Sequence, residues 1–164
     1  MIFYHRTDIY NAYKKIASQQ TWSKDGYSQA NFHTEKYGGG SDCKNEITLH
    51  FEWNGKIANG EPNEWPGPPN VLFEKMWSGN SEKLWSLFLF PGTNSDLVLT
   101  GFSNIEIQEG DDFEHKNHVM KEIEKLLISP IQVAVPHKNQ RKNIVVPQLP
   151  KNSLFSRLFG ASKA

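Results

Sequence analysis

The chain holds one cysteine, Cys43, in 164 residues. An intrachain disulfide framework is therefore excluded, and the lone thiol fits a reducing compartment. No apolar run approaches the roughly 18–20 residues that a membrane-spanning helix needs. The apolar start, Ile2–Tyr4, is too short for a secretory leader, and charge begins at Arg6. These features lead to the expectation of a cytoplasmic chain with no membrane span. Net charge is also missing: 18 basic residues balance 18 acidic ones. A global attraction to nucleic acid or to an anionic membrane has no support in that balance. No internal repeat, Walker loop, serine nucleophile elbow or zinc-finger spacing occurs.

What the chain does contain is aromatic weight, with 10 Phe, 5 Trp and 5 Tyr, and a readable hydrophobic rhythm. Ile9, Ala12, Tyr13, Ile16 and Ala17 recur at helical spacing between about Asp8 and Gln20, with Thr7 or Asp8 as the N-cap. Ala30–Thr34 reads as a short strand. Glu46–Trp53 alternates cleanly: Ile47, Leu49, Phe51 and Trp53 predict a buried face, Glu46, Thr48, His50 and Glu52 a wet one. Asn54-Gly55 then signals a turn, and the proline-punctuated Ala58–Asn70 an irregular connection. Val71–Trp77 is ambiguous, although Leu72, Phe73, Met76 and Trp77 favour one helical face.

Lys83–Phe90 and Asp96–Thr100 read as strands joined through Pro91-Gly92, and Asn104–Gln108 as a third. His115–Leu127 is a second helix, capped by Asp111 or Asp112 and ended by Pro130, with Val119, Met120, Ile123, Leu126 and Leu127 as its apolar stripe. Ile131–Val135 is a further strand. The expected architecture is a single α+β domain over residues 1–136, a mostly antiparallel, aromatic-rich sheet with a helix near each end. Residues 137–164 form a basic, proline-punctuated tail. It carries the run His137–Lys142 and a short amphipathic segment at Leu154, Phe155, Leu158 and Phe159.

The most informative stretch is the first. Phe3-Tyr4-His5-Arg6-Thr7 runs from an apolar strand directly into a helix start, bringing an imidazole, a guanidinium and free helix N–H groups to one spot. Such a spot suits a ribose or a phosphate. This segment, followed by Ala12 and Ile16, resembles the first strand and helix of small bacterial and phage ADP-ribosyltransferase-like domains. The resemblance is specific over about the first 40 residues and topological beyond them.

It implies NAD as substrate and a toxin or effector role, with ADP-ribose transferred or NAD hydrolysed. It further implies that His5 meets the adenosine-side ribose, with Arg6 as a pyrophosphate partner and Thr7 among the cofactor-binding residues. Phe32-His33-Thr34, with Tyr37 near, would form the second element and stack on nicotinamide. A late carboxylate, Glu106 or Glu109, would face the nicotinamide ribose. The chemistry asks for such groups, because N-glycosidic cleavage passes through an oxocarbenium-like state that a carboxylate stabilises.

Each of these residues also has a plain structural reading, as a turn, core or solvated side chain. His115 and His118, with Asp111 or Glu114, have a spacing that can share a metal, or else line a solvated helix face. His33 and His50 could meet across neighbouring strands. Gly38–Gly40 lacks the following helix of a phosphate-binding loop. A second functional class stays open: a non-catalytic immunity or inhibitor protein with a protein partner, using the aromatic and proline-rich surface around Trp53–Trp77.

Overall fold

A computed structural model describes residues 1–22, 30–34, 46–55, 71–78, 81–92, 96–103, 106–107, 109–110 and 112–150, with 71–78 and 81–85 as backbone alone. In chain order the elements are β1 (Ile2–Thr7), α1 (Ile9–Ser18), β2 (Ala30–His33), β3 (Ile47–Trp53), β4 (Val71–Ser78), β5 (Ser81–Leu89), β6 (Leu97–Ser103), α2 (Phe113–Leu126) and β7 (Ile131–Val133). The strands form one sheet in the order β4-β5-β2-β1-β3-β6-β7. Every neighbouring pair is antiparallel. The α+β class and the antiparallel sheet are as expected.

The strand that carries the His-Arg-Thr segment sits at the centre. β1 pairs with β2 on one side through Tyr4 and His33, and with β3 on the other from Ile2↔Glu52 to Thr7↔Ile47. Alternation along these strands separates two faces. Phe3, Phe32, Leu49 and Phe51 turn into a core closed by Ile9, Ala12 and Ile16 of α1. Among the described side chains the buried ones are mainly aliphatic, with Phe3, Phe32, Phe51 and Trp53 as the aromatic members, so the expected aromatic richness is not seen there.

Local chemistry explains the helix ends. Asp8 is the N-cap of α1, its Oδ1 accepting from Asn11 N–H at 2.9 Å. At the other end Gln19 adopts the left-handed conformation (φ 56°), and its N–H returns to Ile16 O at 3.1 Å. Asp112 precedes α2 without capping it through its side chain; that carboxylate is engaged by Lys116 instead.

Several sequence expectations change. Val71–Trp77 is not helical: all of β4 pairs with β5, with a register shift at Glu74/Lys75, and sheet pairing overrides the weak helical spacing. Asn104–Gln108 is not a strand at its described residues. Glu106 and Ile107 lie outside the sheet, because the β3–β6 ladder ends at Thr48↔Ser103. β5 and β6 do not pair; three strands separate them, and Gly92 (φ 94°) turns the chain between them, donating to Val135 O at 2.8 Å. His33 and His50 lie on strands separated by β1. Glu46 and Thr48 are buried rather than wet.

The stretch after β7 is held against the body. Ala134 bridges Gln20, Lys142 Nζ donates to Ser18 O at 3.1 Å, and Val146 packs on the core. Among the described residues no helix is long and apolar enough to cross a membrane.

Candidate functional site

The His-Arg-Thr segment splits across the two faces of the sheet. His5 points to the α1 side. The only consistent arrangement of its ring is neutral: Nδ1–H donates to Asn31 O at 2.9 Å, and Nε2 accepts from Lys15 Nζ at 2.8 Å. Its ring also lies 5.7 Å from that of Phe32. Burial, reinforced by the Lys15 charge, drives the His5 pKa down to about 3. His5 therefore joins β1, β2 and α1 as a neutral connector, half-buried behind the sheet.

The start of α1 is likewise occupied from within. Ile9 N–H donates to Glu46 Oε2 at 3.1 Å, and Asn11 N–H is held by Asp8. The Glu46 carboxylate thus sits where an anion would dock on a helix N-terminus. Its other oxygen accepts from Lys116 Nζ at 2.6 Å, and Lys116 also pairs with Asp112 at 3.1 Å. The hydrogen bond to Glu46 leads the effects that raise the Lys116 pKa, and the bond from Lys116 leads those that lower the Asp112 pKa.

The network continues through Tyr10 Oη, 3.4 Å from Asp112 and 3.3 Å from His115 Nδ1. Desolvation, followed by the Asp112 charge, raises the Tyr10 pKa. His115 Nε2–H donates to Pro147 O at 2.7 Å, tying the C-terminal stretch to both helices. With both ring nitrogens engaged this way, His115 is a connector. Among the described residues no group of three or more His, Cys, Asp or Glu is arranged to hold a metal ion.

The face turned away from the helices is where reactive groups gather. Tyr4 and Arg6 project there from β1, Asn31 and His33 from β2, Thr48 and His50 from β3, Ser86 from β5 and Ser103 from β6. The registers align Ser86, His33, Tyr4, His50 and Gly101 in one row, and Arg6, Thr48 and Ser103 in the next. The Tyr4 and His50 rings meet edge to face at 5.1 Å and 88°. His50 Nε2 and Ser103 Oγ lie 2.7 Å apart. Thr48 and Ser86 are buried on this face, and no hydrogen-bond partner for Thr48 Oγ1 or Asn31 Oδ1 is found among the described residues. This is a polar, half-buried surface with a guanidinium, two imidazoles, a phenol and hydroxyls.

Of the residues singled out in the sequence, the structure brings several near one another. Thr7 is buried, and its carbonyl accepts from Glu46 N–H at 3.0 Å; Glu46 O in turn accepts from Glu106 N–H at 2.9 Å. Glu106 is thereby anchored at the sheet end where Arg6 and Thr7 lie, with its side chain exposed. Glu109 is exposed as well. Phe32 is fully buried between Phe51 and His5, so its ring belongs to the core. Thr34 follows β2 at the opposite end of the sheet from Thr7, because β1 and β2 run antiparallel. Tyr37, Gly38–Gly40, Cys43 and the amphipathic segment from Leu154 lie outside the described residues.

For the protein-partner surface, Trp53 is a core residue, and 56–70 lie outside the described residues. Sequence reasoning missed Tyr4, His50 and Ser103 as a group. The alternation of Thr48 and His50 against Leu49 and Phe51 carried the signal for their face, but not the register that joins them. Compared with known proteins, the chain matches no protein-family model, no curated protein and no solved structure.

Proposed function

We propose that this chain is an ADP-ribosyltransferase-like domain of toxin or effector type that takes NAD as substrate and releases nicotinamide. The observation that carries the reading is the location of a cation and a carboxylate-bearing residue at the same end of the sheet. Arg6 projects from the central strand beside Thr48 and Ser103, and Glu106 is anchored through Glu46 to the end of that same strand. The order strand, His-Arg-Thr, helix, Phe-His-Thr strand end and late carboxylate supports the same reading.

In this proposal the dinucleotide lies along the face turned from the helices. Arg6 takes the pyrophosphate, since the α1 N-terminus is already filled by Glu46 and Asp8. Tyr4, with His33 and His50 on either side, supplies flat and hydrogen-bonding contacts for a base or ribose. Glu106 stabilises the positive charge that develops on the ribose as the glycosidic bond breaks. His5 acts from behind, holding β1 in line with β2. It is a positioning residue in this account.

The test is a pair of variants. Arg6→Ala should weaken NAD binding. Glu106→Gln should leave binding and melting temperature near wild type while slowing nicotinamide release by roughly 100-fold or more, the usual scale for removing one charge-stabilising group. Equal release rates in Glu106→Gln and wild type would remove Glu106 from the mechanism.

A further inference from the structure

The β3–β6 ladder is interrupted where its reactive groups sit. His50 pairs with Gly101 and Phe51 with Leu99, so Thr100 is an extra residue bulged out of β6. Bulges of this kind re-aim side chains and recur beside active sites. Thr100 is exposed, and its hydroxyl donates back to His50 O at 3.3 Å, bracing the interruption.

Two further features make the bulge a notch. Gly101 lies directly opposite His50 on the same face, and a Cβ built there meets nothing within 4 Å. Two residue pairs further along, on the same face, Ser103 Oγ lies 2.7 Å from His50 Nε2. The Tyr4 ring stands edge-on against the other flank of the imidazole at 5.1 Å. A hydroxyl and a base within hydrogen-bond reach therefore adjoin open space, two of the elements an activated nucleophile uses.

We propose that Ser103 and His50 form a nucleophile–base pair that accepts an acyl group from a small ester entering over Gly101. This inference does not rest on the NAD reading and survives its failure, although it gives His50 of the same face a second role. In the step, a bond forms between Ser103 Oγ and the carbonyl carbon while the ester C–O bond breaks. The Oγ proton passes to His50 Nε2 and from there to the departing alkoxide. Water then hydrolyses the acyl-serine, restoring the free hydroxyl.

The experiment uses the full chain, a fluorophosphonate probe and p-nitrophenyl acetate. The probe should bond covalently to Ser103, with fluoride leaving and the Oγ proton again taken by His50, and digestion should recover the label on the Ser103 peptide. Ser103→Ala should abolish labelling. His50→Gln, which keeps a hydrogen-bonding side chain but no base, should slow it at least 10-fold. Gly101→Leu should fold, given the free space, yet block labelling and ester turnover by filling the notch. Absence of Ser103 labelling in folded wild-type protein would overturn the proposal. So would equal labelling rates in wild type and a folded His50→Gln.

Discussion

Lys15 Nζ donates to His5 Nε2 across 2.8 Å, so a helix cation is held by a neutral imidazole on the central strand. The sequence reading had that imidazole facing a ribose; its partners face the interior. Replacing it leaves Asn31 O and Lys15 Nζ without their shared partner, which costs about 1–3 kcal/mol for buried polar groups. His5→Ala should therefore lower the urea midpoint. His5→Gln should recover part of the loss.

The same pair sets a pH dependence. The His5 pKa falls from an ordinary 6.5 to about 3 on folding, so the unfolded chain binds the extra proton between those values. Its contribution to stability is complete above pH 6.5 and is lost progressively as pH drops toward 3. Urea unfolding between pH 7 and pH 4 should show a steeper decline in wild type than in His5→Gln. Parallel declines would contradict the neutral assignment.

Glu46 and Lys116 are nearly inaccessible, with side chains 8% and 6% exposed, and 2.6 Å apart. Removing one partner of such a pair costs roughly 3–5 kcal/mol, whereas replacing both by apolar groups costs much less. Glu46→Gln should be the harsher change, since Glu46 also holds Ile9 N–H. The double variant Glu46→Leu/Lys116→Met should be more stable than the sum of the single losses, measured by a denaturation cycle. Because Lys116 is raised on folding, its share is present below its ordinary pKa and lost as pH climbs through the raised value. Asp112 is lowered, so its share is present above the ordinary carboxylate range and lost as pH falls.

Gln19 ends α1 with φ at 56°, a conformation that costs a side-chain-bearing residue about 1–2 kcal/mol. Glycine removes that strain, at some cost in unfolded-chain entropy. Gln19→Gly should raise stability by roughly 0.5 kcal/mol, read from the urea midpoint. A loss would mean that the Gln19 side chain contributes more than its backbone costs.

Much of the scaffold was legible because its signals are local. The Asp8 cap, the Ile9–Ile16 spacing and the Leu49–Phe51 alternation each depend on neighbours in sequence, and each matches the structure. Val71–Trp77 stayed ambiguous between strand and helix because nothing local reveals that β5 pairs along all of it. The site was half legible. Strand alternation assigns Tyr4 and Arg6 to one face and His5 to the other, but which face meets α1 depends on the core. The row of Ser86, His33, Tyr4 and His50 comes from long-range register, which no short window contains. Glu46 illustrates the limit: it read as a solvated strand residue, and it fills the helix end that looked ready for phosphate.

Melting temperature with and without millimolar NAD, with nicotinamide release followed in the same samples, tests the central claim most directly. A ligand that binds only the folded chain stabilises it by about 2.7 kcal/mol at a hundredfold excess over its dissociation constant, and a chain of this size gains roughly 2–4 °C per kcal/mol. The account predicts a rise of several degrees together with release, both reduced in Arg6→Ala. No shift and no release in folded wild-type protein would contradict it and direct attention to a protein partner.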